Sequence, residues 1–433
     1  MRHWFRDQHF RSLLKNSSYL AISRGIALVC GIATFALAAR GLGVLLFGML
    51  ILITSYAKAA SGVAKFQSWQ LIVRYGGQGL AAGNPEQFKS STGFAAALDI
   101  LSGIVGMIGA VILLPFIAPA VGIDRQYWWL AMLYCTLLPT MGAASPNGVL
   151  RTLDRFDLIS WSSTLTPISR AILAAIAFLL NAPIAAYVAI WWVTDLAGDM
   201  YQWFLAWREL RRHGLHAGIR PTLKPTDLPG AWKFAIQINL AVGIQTVWGP
   251  IARLAVGGLL GAAGAAFFRV ASSIADAAQK PADLLGKAFY PEIVRMDLKS
   301  KTPWKLMFRS AVLATAIAAL AVLILVLGGK PLIELLFGKA YISAYAPLMV
   351  LMLVPILGVF SFPLQPMLYA LGKGGAPLRA KIIASLIFFV SLAPLCWQFG
   401  VVGAAIAFVL ATAANVVVMM VQLGVQYRRL HPA

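Results

Sequence analysis

The sequence is short of charge, and of acidic charge above all. Only 12% of its 433 residues are charged and 60% are apolar, whereas a soluble globular protein carries about 25% charged and about 45–50% apolar residues. Acidic residues number 15 against 36 basic ones, which gives a net charge of +21. The scarcity of charge excludes a soluble enzyme, a disordered chain and a fibrous repeat, and indicates a polytopic membrane protein.

Cysteine pairs and catalytic signatures are also lacking. Cys30, Cys135 and Cys396 each lie alone inside an apolar run, so we expect neither a disulfide framework nor a thiolate metal site. The sequence contains no GxxxxGK[ST] and no HExxH motif, which excludes a P-loop ATPase and a zincin. We therefore predict that the protein is not an enzyme and that it holds no resident metal or cofactor.

Twelve apolar runs, bounded by charges or by Gly and Pro clusters, are candidate membrane spans. An α-helix needs about 20 apolar residues to cross a bilayer. Four prolines in the tenth run predict that this span is broken. The spans are expected at 17–39, 44–64, 94–121, 127–147, 158–181, 184–207, 234–260, 263–287, 308–328, 342–370, 382–398 and 401–424.

Lys and Arg residues are distributed unequally between the two sides of these spans. Placing both termini and alternate loops in the cytoplasm puts 26 of the 36 on that side. Only four are left on the other side, namely Arg40, Arg125, Lys330 and Lys339. Because cytoplasmic loops are enriched in basic residues, this distribution predicts that both termini are cytoplasmic. It also accounts for most of the net charge, so we expect no nucleic-acid partner.

A basic, proline-containing segment separates the first six spans from the last six. Residues 208–233 contain three prolines and six Lys or Arg residues. This organisation predicts an N-terminal lobe over 1–207, a cytoplasmic linker over 208–233 and a C-terminal lobe over 234–433, as in transporters built from structural repeats. A weak similarity between residues 37–43 and 254–261 favours such a repeat.

Eleven ionisable residues fall inside the predicted spans. A charge at a helix centre that faces lipid costs about 2.5–3.5 kcal/mol, so most of them are expected to face a hydrated interior or one another. Arg24, Asp99 and Asp283 lie near predicted helix ends, where they are expected to snorkel. The full set is Arg24, Lys58, Asp99, Arg170, Asp195, Asp199, Arg253, Arg269, Asp276, Lys280 and Asp283.

Helical periodicity places several of these charges on common faces. Arg269, Asp276, Lys280 and Asp283 share one face of the eighth span, and the second span carries a similar polar stripe. The structural alternative is a set of salt bridges that hold helices together, such as Asp276 with Lys280. Arg170, Arg253 and Arg269 have no carboxylate at helical spacing, and each offers a fork of donors suited to phosphate oxygens.

Asp195 and Asp199 lie four residues apart on one helical turn. Two like charges in this arrangement disfavour each other's ionised form. Both are therefore candidates for coupling to H⁺ or Na⁺, with Asp276 as a third. Helix packing, or pairing with Arg170, is an equally good interpretation of the two aspartates.

Three short motifs lie at the ends of predicted spans. They are Ala39-Arg40-Gly41-Leu42-Gly43 with Phe47-Gly48, Leu336-Phe337-Gly338 with Tyr341 and Ala344, and Leu371-Gly372-Lys373. In order and spacing they resemble the motifs of the polysaccharide (oligosaccharide) flippases of the multidrug/oligosaccharidyl-lipid/polysaccharide exporter superfamily. Val44 stands where that family often has Pro, and Phe267-Phe268 replace its usual Tyr. The resemblance therefore does not identify the substrate.

The resemblance implies an all-α protein with two six-helix lobes around a central cationic cavity that opens alternately to each side. It implies a flippase of the bacterial inner membrane that turns an oligosaccharide on a polyprenyl (pyro)phosphate from the inner to the outer leaflet. The product would serve O-antigen, lipopolysaccharide, exopolysaccharide or capsule synthesis, with membrane lipids, a glycan polymerase and export machinery as partners. Resemblance and spacing together place five residues on the head group: Arg24, Lys58, Arg170, Arg253 and Arg269.

Two other functions are weighed against this one. A cation-coupled multidrug antiporter of the same superfamily would be expected to have a cavity dominated by carboxylates and aromatics, whereas basic residues in the spans outnumber acidic ones by six to five. A membrane glycan polymerase or ligase needs a sizeable extracytoplasmic loop. The longest predicted outer loop, 329–341, is too short for a catalytic domain. The flippase is therefore the leading prediction.

Overall fold

The computed structural model describes residues 8–225, 227–294 and 296–431, and over these ranges it contains helices and no strand. Within these ranges, seven helical stretches are long and apolar enough to cross a membrane, which confirms the predicted all-α membrane class. The chain divides between Ala252 and Arg253 into two compact units, called unit 1 and unit 2 below. The seven stretches are Ile22–Ala81, Pro85–Ala120, Phe156–Leu179, Trp248–Lys280, Thr302–Leu327, Lys339–Ala370 and Gly375–Leu430.

Unit 1 is built from α1 to α8 and the first part of α9. A π-helical segment, Ile72–Gly76, joins α2 to α3. Helix α4 begins at Pro85 and not near residue 94 as predicted, because the Asn84 side chain accepts a hydrogen bond from the Gln87 N–H and caps it. The helices are α1 Gln8–Ala64, α2 Trp69–Leu71, α3 Gly77–Ala81, α4 Pro85–Ala120, α5 Trp128–Cys135, α6 Ala144–Thr152, α7 Phe156–Leu179, α8 Ile184–Arg212 and α9 Ala231–Val294.

The predicted fourth span, 127–147, is not one helix. Helix α5 ends at Cys135 and α6 begins at Ala144, with a stretch of turns between them. Pro139 lies in this stretch and cannot donate a helical hydrogen bond, and Gly142 has a φ of 83°. The prediction of a continuous fourth helix is therefore wrong, and the gap leaves polar backbone groups that other side chains must satisfy.

The segment after α8 packs against unit 1. The Trp232 ring meets the Phe94 ring edge-on at 5.4 Å, and the Trp232 indole N–H donates to the Leu223 carbonyl at 3.0 Å. Leu228 is buried in the same cluster. Much of the segment predicted as a linker, 208–233, is thus attached to unit 1, while the predicted lobe boundaries stay a prediction.

Unit 2 contains the rest of α9 and six further helices. The predicted tenth span is broken, as its prolines indicate, into α12, α13 and α14. Apolar residues of α9, α10, α14 and α15 form its core, among them Ile293, Trp304, Met367 and Met419. The helices are α10 Thr302–Leu327, α11 Gly329–Phe337, α12 Tyr345–Leu351, α13 Leu353–Ser361, α14 Leu364–Ala370 and α15 Gly375–Leu430.

Helices α1 and α9 each contain a sharp kink at a glycine. Gly43 has φ 71° and ψ 177°, and Gly261 has φ 69° and ψ −174°. This backbone conformation is essentially restricted to glycine. The two kinks share one conformation and lie in the two segments of weak internal similarity, 37–43 and 254–261, which supports the predicted repeat. Each kink divides a long helix where two successive spans are predicted.

We predict that Gly43→Ala destabilises the protein by about 1–3 kcal/mol, because the added Cβ strains a backbone conformation that only glycine adopts readily. Nothing lies within 4 Å of that Cβ position, so the loss is conformational and not steric. Gly31→Ala is the matched control, since Gly31 lies in the same helix with ordinary helical φ and equally open surroundings. Melting temperatures in detergent report both changes. Equal stability of the two variants would contradict the prediction.

Candidate functional site

The five predicted head-group residues divide between the two units. Arg24 and Lys58 lie on α1 and are exposed, whereas Arg170 on α7 is only 15% exposed. Arg253 and Arg269 lie on α9 in unit 2, on opposite sides of the Gly261 kink, and both are partly buried. Three of the five cations therefore belong to unit 1 and two to α9 of unit 2.

Arg170 is held by the neighbouring helix α8. Its guanidinium forms an ion pair with Asp195, and its Nε donates to the Thr194 hydroxyl at 2.8 Å. The guanidinium carbon lies 5.3 Å from the centre of the Trp191 ring, at cation–π distance. The sequence left open whether Asp195 and Asp199 pair with Arg170. In the structure, Asp195 forms this pair.

A tyrosine that the sequence did not single out completes this arrangement. Tyr134 on α5 is fully buried, and its hydroxyl donates to Asp195 Oδ2 at 2.5 Å. Asp195 thus receives donors from α5 and α7, and Lys58 on α1 also acts on it electrostatically. Four elements of unit 1 therefore converge on one carboxylate. The only sequence signal was the position of Tyr134 inside a predicted span.

Asp199, one turn further along α8, has a different environment. The backbone N–H of Gly142, in the gap between α5 and α6, acts on its carboxylate electrostatically. Asp199 lies in electrostatic range of Lys65 and Asp99 as well as Asp195. The two aspartates act on each other, as their spacing indicates, and their role in ion coupling stays a prediction.

Lys65 and Asp99 form a buried ion pair that was not predicted. Lys65 Nζ lies 3.8 Å from Asp99 Oδ1, and the two side chains are 7% and 1% exposed. Asp99 was expected to snorkel from a helix end. That expectation is wrong because α4 begins well before the predicted span, which places Asp99 inside the helix and inside unit 1.

A third charged cluster lies at the cytoplasmic end of α8 in the predicted topology. Glu209 is 1% exposed and pairs with Arg155 at 2.5 Å, Arg212 at 3.0 Å and Arg208 at 3.5 Å. Arg155 also hydrogen-bonds Asp157, and that bond raises the pKa of Arg155. This network ties the start of α7 to the end of α8, and its link to Arg155 was missed because that residue lies 54 positions from Glu209 in the sequence.

In unit 2, Arg269 has a carboxylate partner that sequence reasoning overlooked. Arg269 Nη1 lies 3.6 Å from Asp276 Oδ2, two helical turns away. Among the described side chains, Asp276 pairs with Arg269 and not with Lys280 as considered above. Arg253 lies close enough to both residues to interact electrostatically, while the Asp283 side chain lies outside the described residues.

The charge balance of this α9 cluster is positive. Residues 248–280 contain Arg253, Arg269 and Lys280 against the single carboxylate of Asp276. Asp276 is 62% exposed, so it neutralises Arg269 less completely than a buried partner does. The cluster therefore offers donor groups that phosphate oxygens accept well.

Comparison with known proteins gives the chain a family context. The family model described as "Polysaccharide biosynthesis protein" matches residues 13–297. The chain is 40% identical over 347 residues to the inner membrane protein YghQ of Escherichia coli (strain K12), an alignment that covers 80% of this chain and 98% of that protein.

Two solved structures share the fold. One is a multidrug resistance MATE family transporter of the MOP superfamily in an inward-facing conformation, with a TM-score of 0.71, 17% identity and 96% of each chain covered. The other is the lipid II flippase MurJ in an inward closed conformation, with a TM-score of 0.72 and 13% identity over 94% of this chain and 87% of that one.

We predict that Arg170 and Asp195 are energetically coupled. Asp195→Asn leaves the guanidinium of Arg170 without its counter-charge in a largely buried site, which is expected to cost about 3–5 kcal/mol. Arg170→Gln is expected to cost a similar amount, and the double variant much less than the sum of the two. The free energy of unfolding of the four proteins in detergent measures the coupling. Additive losses would show that the pair does not act as a unit.

Proposed function

Because the chain belongs to the polysaccharide biosynthesis protein family, we propose that it is a flippase for a lipid-linked oligosaccharide. It is a multi-pass protein of the bacterial inner membrane. In the proposed reaction the sugar unit, attached to a polyprenyl (pyro)phosphate, passes from the inner to the outer leaflet by alternating access. The process needs binding and release of a polar head group, and no covalent bond changes.

The observation that carries this proposal is the basic cluster on α9. Arg253 and Arg269 are partly buried in an apolar helix, and Asp276, the one carboxylate of residues 248–280, is mostly exposed. Holding such cations in a membrane is costly unless they face water or an anionic partner. A phosphate or diphosphate would add acceptor oxygens to this cluster, and a guanidinium fork binds such oxygens with two donors.

The unit 1 cations contribute differently in this proposal. Arg170 is already paired with Asp195, so it presents only its remaining donors to a ligand. Lys58 and Arg24 are exposed on α1 and are proposed to contact the head group directly. The fold shared with the lipid II flippase MurJ is compatible with a lipid-linked substrate. The sugar identity, and the O-antigen, exopolysaccharide or capsule pathway it serves, belong to the same proposal.

The proposal also includes twelve membrane crossings, six in each lobe, with both termini in the cytoplasm. The three kinked helices α1, α9 and α15 each supply two of the crossings, since each has a glycine with non-helical φ and ψ at its middle. Most basic residues of the termini and intervening segments, 26 of the 36 in the chain, then lie on the cytoplasmic side, as the positive-inside rule requires.

We predict that Arg253→Gln and Arg269→Gln each lower surface glycan by about tenfold or more, since a hydrogen bond to a charged group contributes about 1.5–3 kcal/mol. The measurement is complementation of a deletion strain, with glycan on the cell surface and lipid-linked intermediate in the membrane both quantified. The intermediate should accumulate as surface glycan falls.

Lys339→Gln is the matched control, because Lys339 is a cation that is 86% exposed on a predicted outer loop. It should complement fully at equal membrane expression. Normal surface glycan in both arginine variants would remove the α9 cluster from the substrate path. Export of dyes without any rescue of glycan would favour the drug antiporter instead.

The topology predicts opposite labelling of two exposed sites. A cysteine at Ala217 should react with a membrane-impermeant maleimide only after permeabilisation, and one at Leu335 should react on intact cells. Cys30→Ala removes the partly exposed native thiol, while Cys135 and Cys396 are buried. The reverse labelling pattern would overturn the proposed orientation.

A further inference from the structure

Helix α8 carries an exposed apolar stripe on one side. The stripe consists of Val193, Ala197, Met200, Phe204 and Trp207, which follow one another at intervals of three or four residues and are all exposed. At 3.6 residues per turn such positions share one face of a helix. The four larger side chains are between 41% and 58% exposed, and no charged residue lies among them. An exposed apolar surface that extends along about 21 Å of helix is suited to lipid chains rather than to water.

The same side of α8 becomes basic one turn further on, at Arg211. The guanidinium carbon of Arg211 lies 5.5 Å from the centre of the Trp207 ring, at cation–π distance. The Trp207 ring also meets the His216 ring edge-on at 5.9 Å. In the described part of the chain, the Arg211 side chain has no ion pair and no hydrogen-bond partner. Its donors are therefore available to an external acceptor, next to a tryptophan of the kind that is enriched at membrane interfaces.

The carboxylate at this end of α8 is turned away from the exposed side. Glu209 is 1% exposed and is engaged by Arg155, Arg208 and Arg212. Arg208 and Arg212 nevertheless stay 37% and 57% exposed. Residues 207–224 contain five Lys or Arg residues and no acidic residue except Glu209. The exposed surface at the end of α8 therefore attracts an anion and offers an ammonium group no carboxylate partner.

We propose that the end of α8 binds an anionic glycerophospholipid of the inner leaflet. Its acyl chains lie along the apolar stripe and its phosphate accepts hydrogen bonds from Arg211, since a guanidinium fork is suited to phosphate oxygens. Basic residues at the cytoplasmic end of a membrane helix attract anionic lipids. Phosphatidylglycerol fits this surface better than phosphatidylethanolamine, because the ammonium of the latter would meet arginines. This inference uses the topology proposed above and goes beyond the proposed function, because it does not depend on what the protein transports.

The test measures lipid binding at this position in the purified full-length chain, without any lipid-linked sugar. A phosphatidylglycerol with a photoactivatable diazirine beside its phosphate is crosslinked to the protein in a neutral detergent. The labelled peptides are identified by mass spectrometry. Unlabelled phosphatidylglycerol or phosphatidylethanolamine is then added as a competitor for the labelling of residues 204–213.

The wild-type protein should be labelled at residues 204–213, with phosphatidylglycerol as the stronger competitor. Arg211→Gln should weaken competition by phosphatidylglycerol about fivefold, which corresponds to the loss of about 1 kcal/mol for one basic residue at an anionic surface. Arg211→Lys should retain part of the affinity, because the charge stays and only the planar fork is lost. Arg220→Gln is the matched control and should behave as wild type, since it removes the same charge from an exposed arginine of the same segment beyond the helix.

Three results would overturn the proposal. The first is an absence of labelling at residues 204–213 in the wild-type protein, and the second is equal competition by the two phospholipids. The third is an equal loss of affinity in Arg211→Gln and Arg220→Gln, because it would show attraction to the overall positive charge and no defined site. Melting temperatures show whether the variants fold. Should Arg211→Gln fail to fold, the competition measured on the wild-type protein decides.

Discussion

Charged and polar groups inside apolar helices must find partners within the protein, because the hydrocarbon core of a membrane offers none. In unit 1, side chains from several helices meet and satisfy one another's charges and hydrogen bonds. Lys65 donates to carbonyls of the non-helical stretch between α5 and α6, and Asp99 accepts an N–H at the start of α6. Asp195 pairs with Arg170 and accepts a hydrogen bond from Tyr134, which lie on two other helices. The same contacts that make these charges tolerable also fix how the helices of the unit pack.

The two units differ in how completely they satisfy this constraint. In unit 1 the buried charges are largely matched, and the cytoplasmic end is tied by Glu209 and its arginines. In unit 2 the α9 cluster keeps an excess of positive charge, and its one carboxylate is mostly exposed. A transporter for an anionic head group needs both properties, since it requires a stable scaffold and a place where basic groups are available to the ligand.

Composition and hydrophobic runs were sufficient to predict the fold class, because few structures other than membrane helices tolerate so little charge. The broken tenth span followed from its prolines. The partners of the buried charges were harder to predict. Lys65 and Asp99 come from different helices, so only tertiary packing brings them together, and Arg269 meets Asp276 two turns away, beyond the single-turn spacing that was considered. The break after α5 was not predicted, because α5 and the residues that follow it form one apolar run in the sequence that is long enough for a single span.

Transport of a lipid-linked sugar is the central claim, and reconstitution tests it most directly. The purified chain would be placed in vesicles with a short polyprenyl-diphosphate sugar carrying a fluorophore on the sugar, and transfer between leaflets followed with an impermeant quencher. The account predicts rapid transfer by the wild-type protein and a strong reduction when both Arg253 and Arg269 are replaced by Gln. Transfer no faster than in protein-free vesicles, or equal transfer by the double variant, would contradict it.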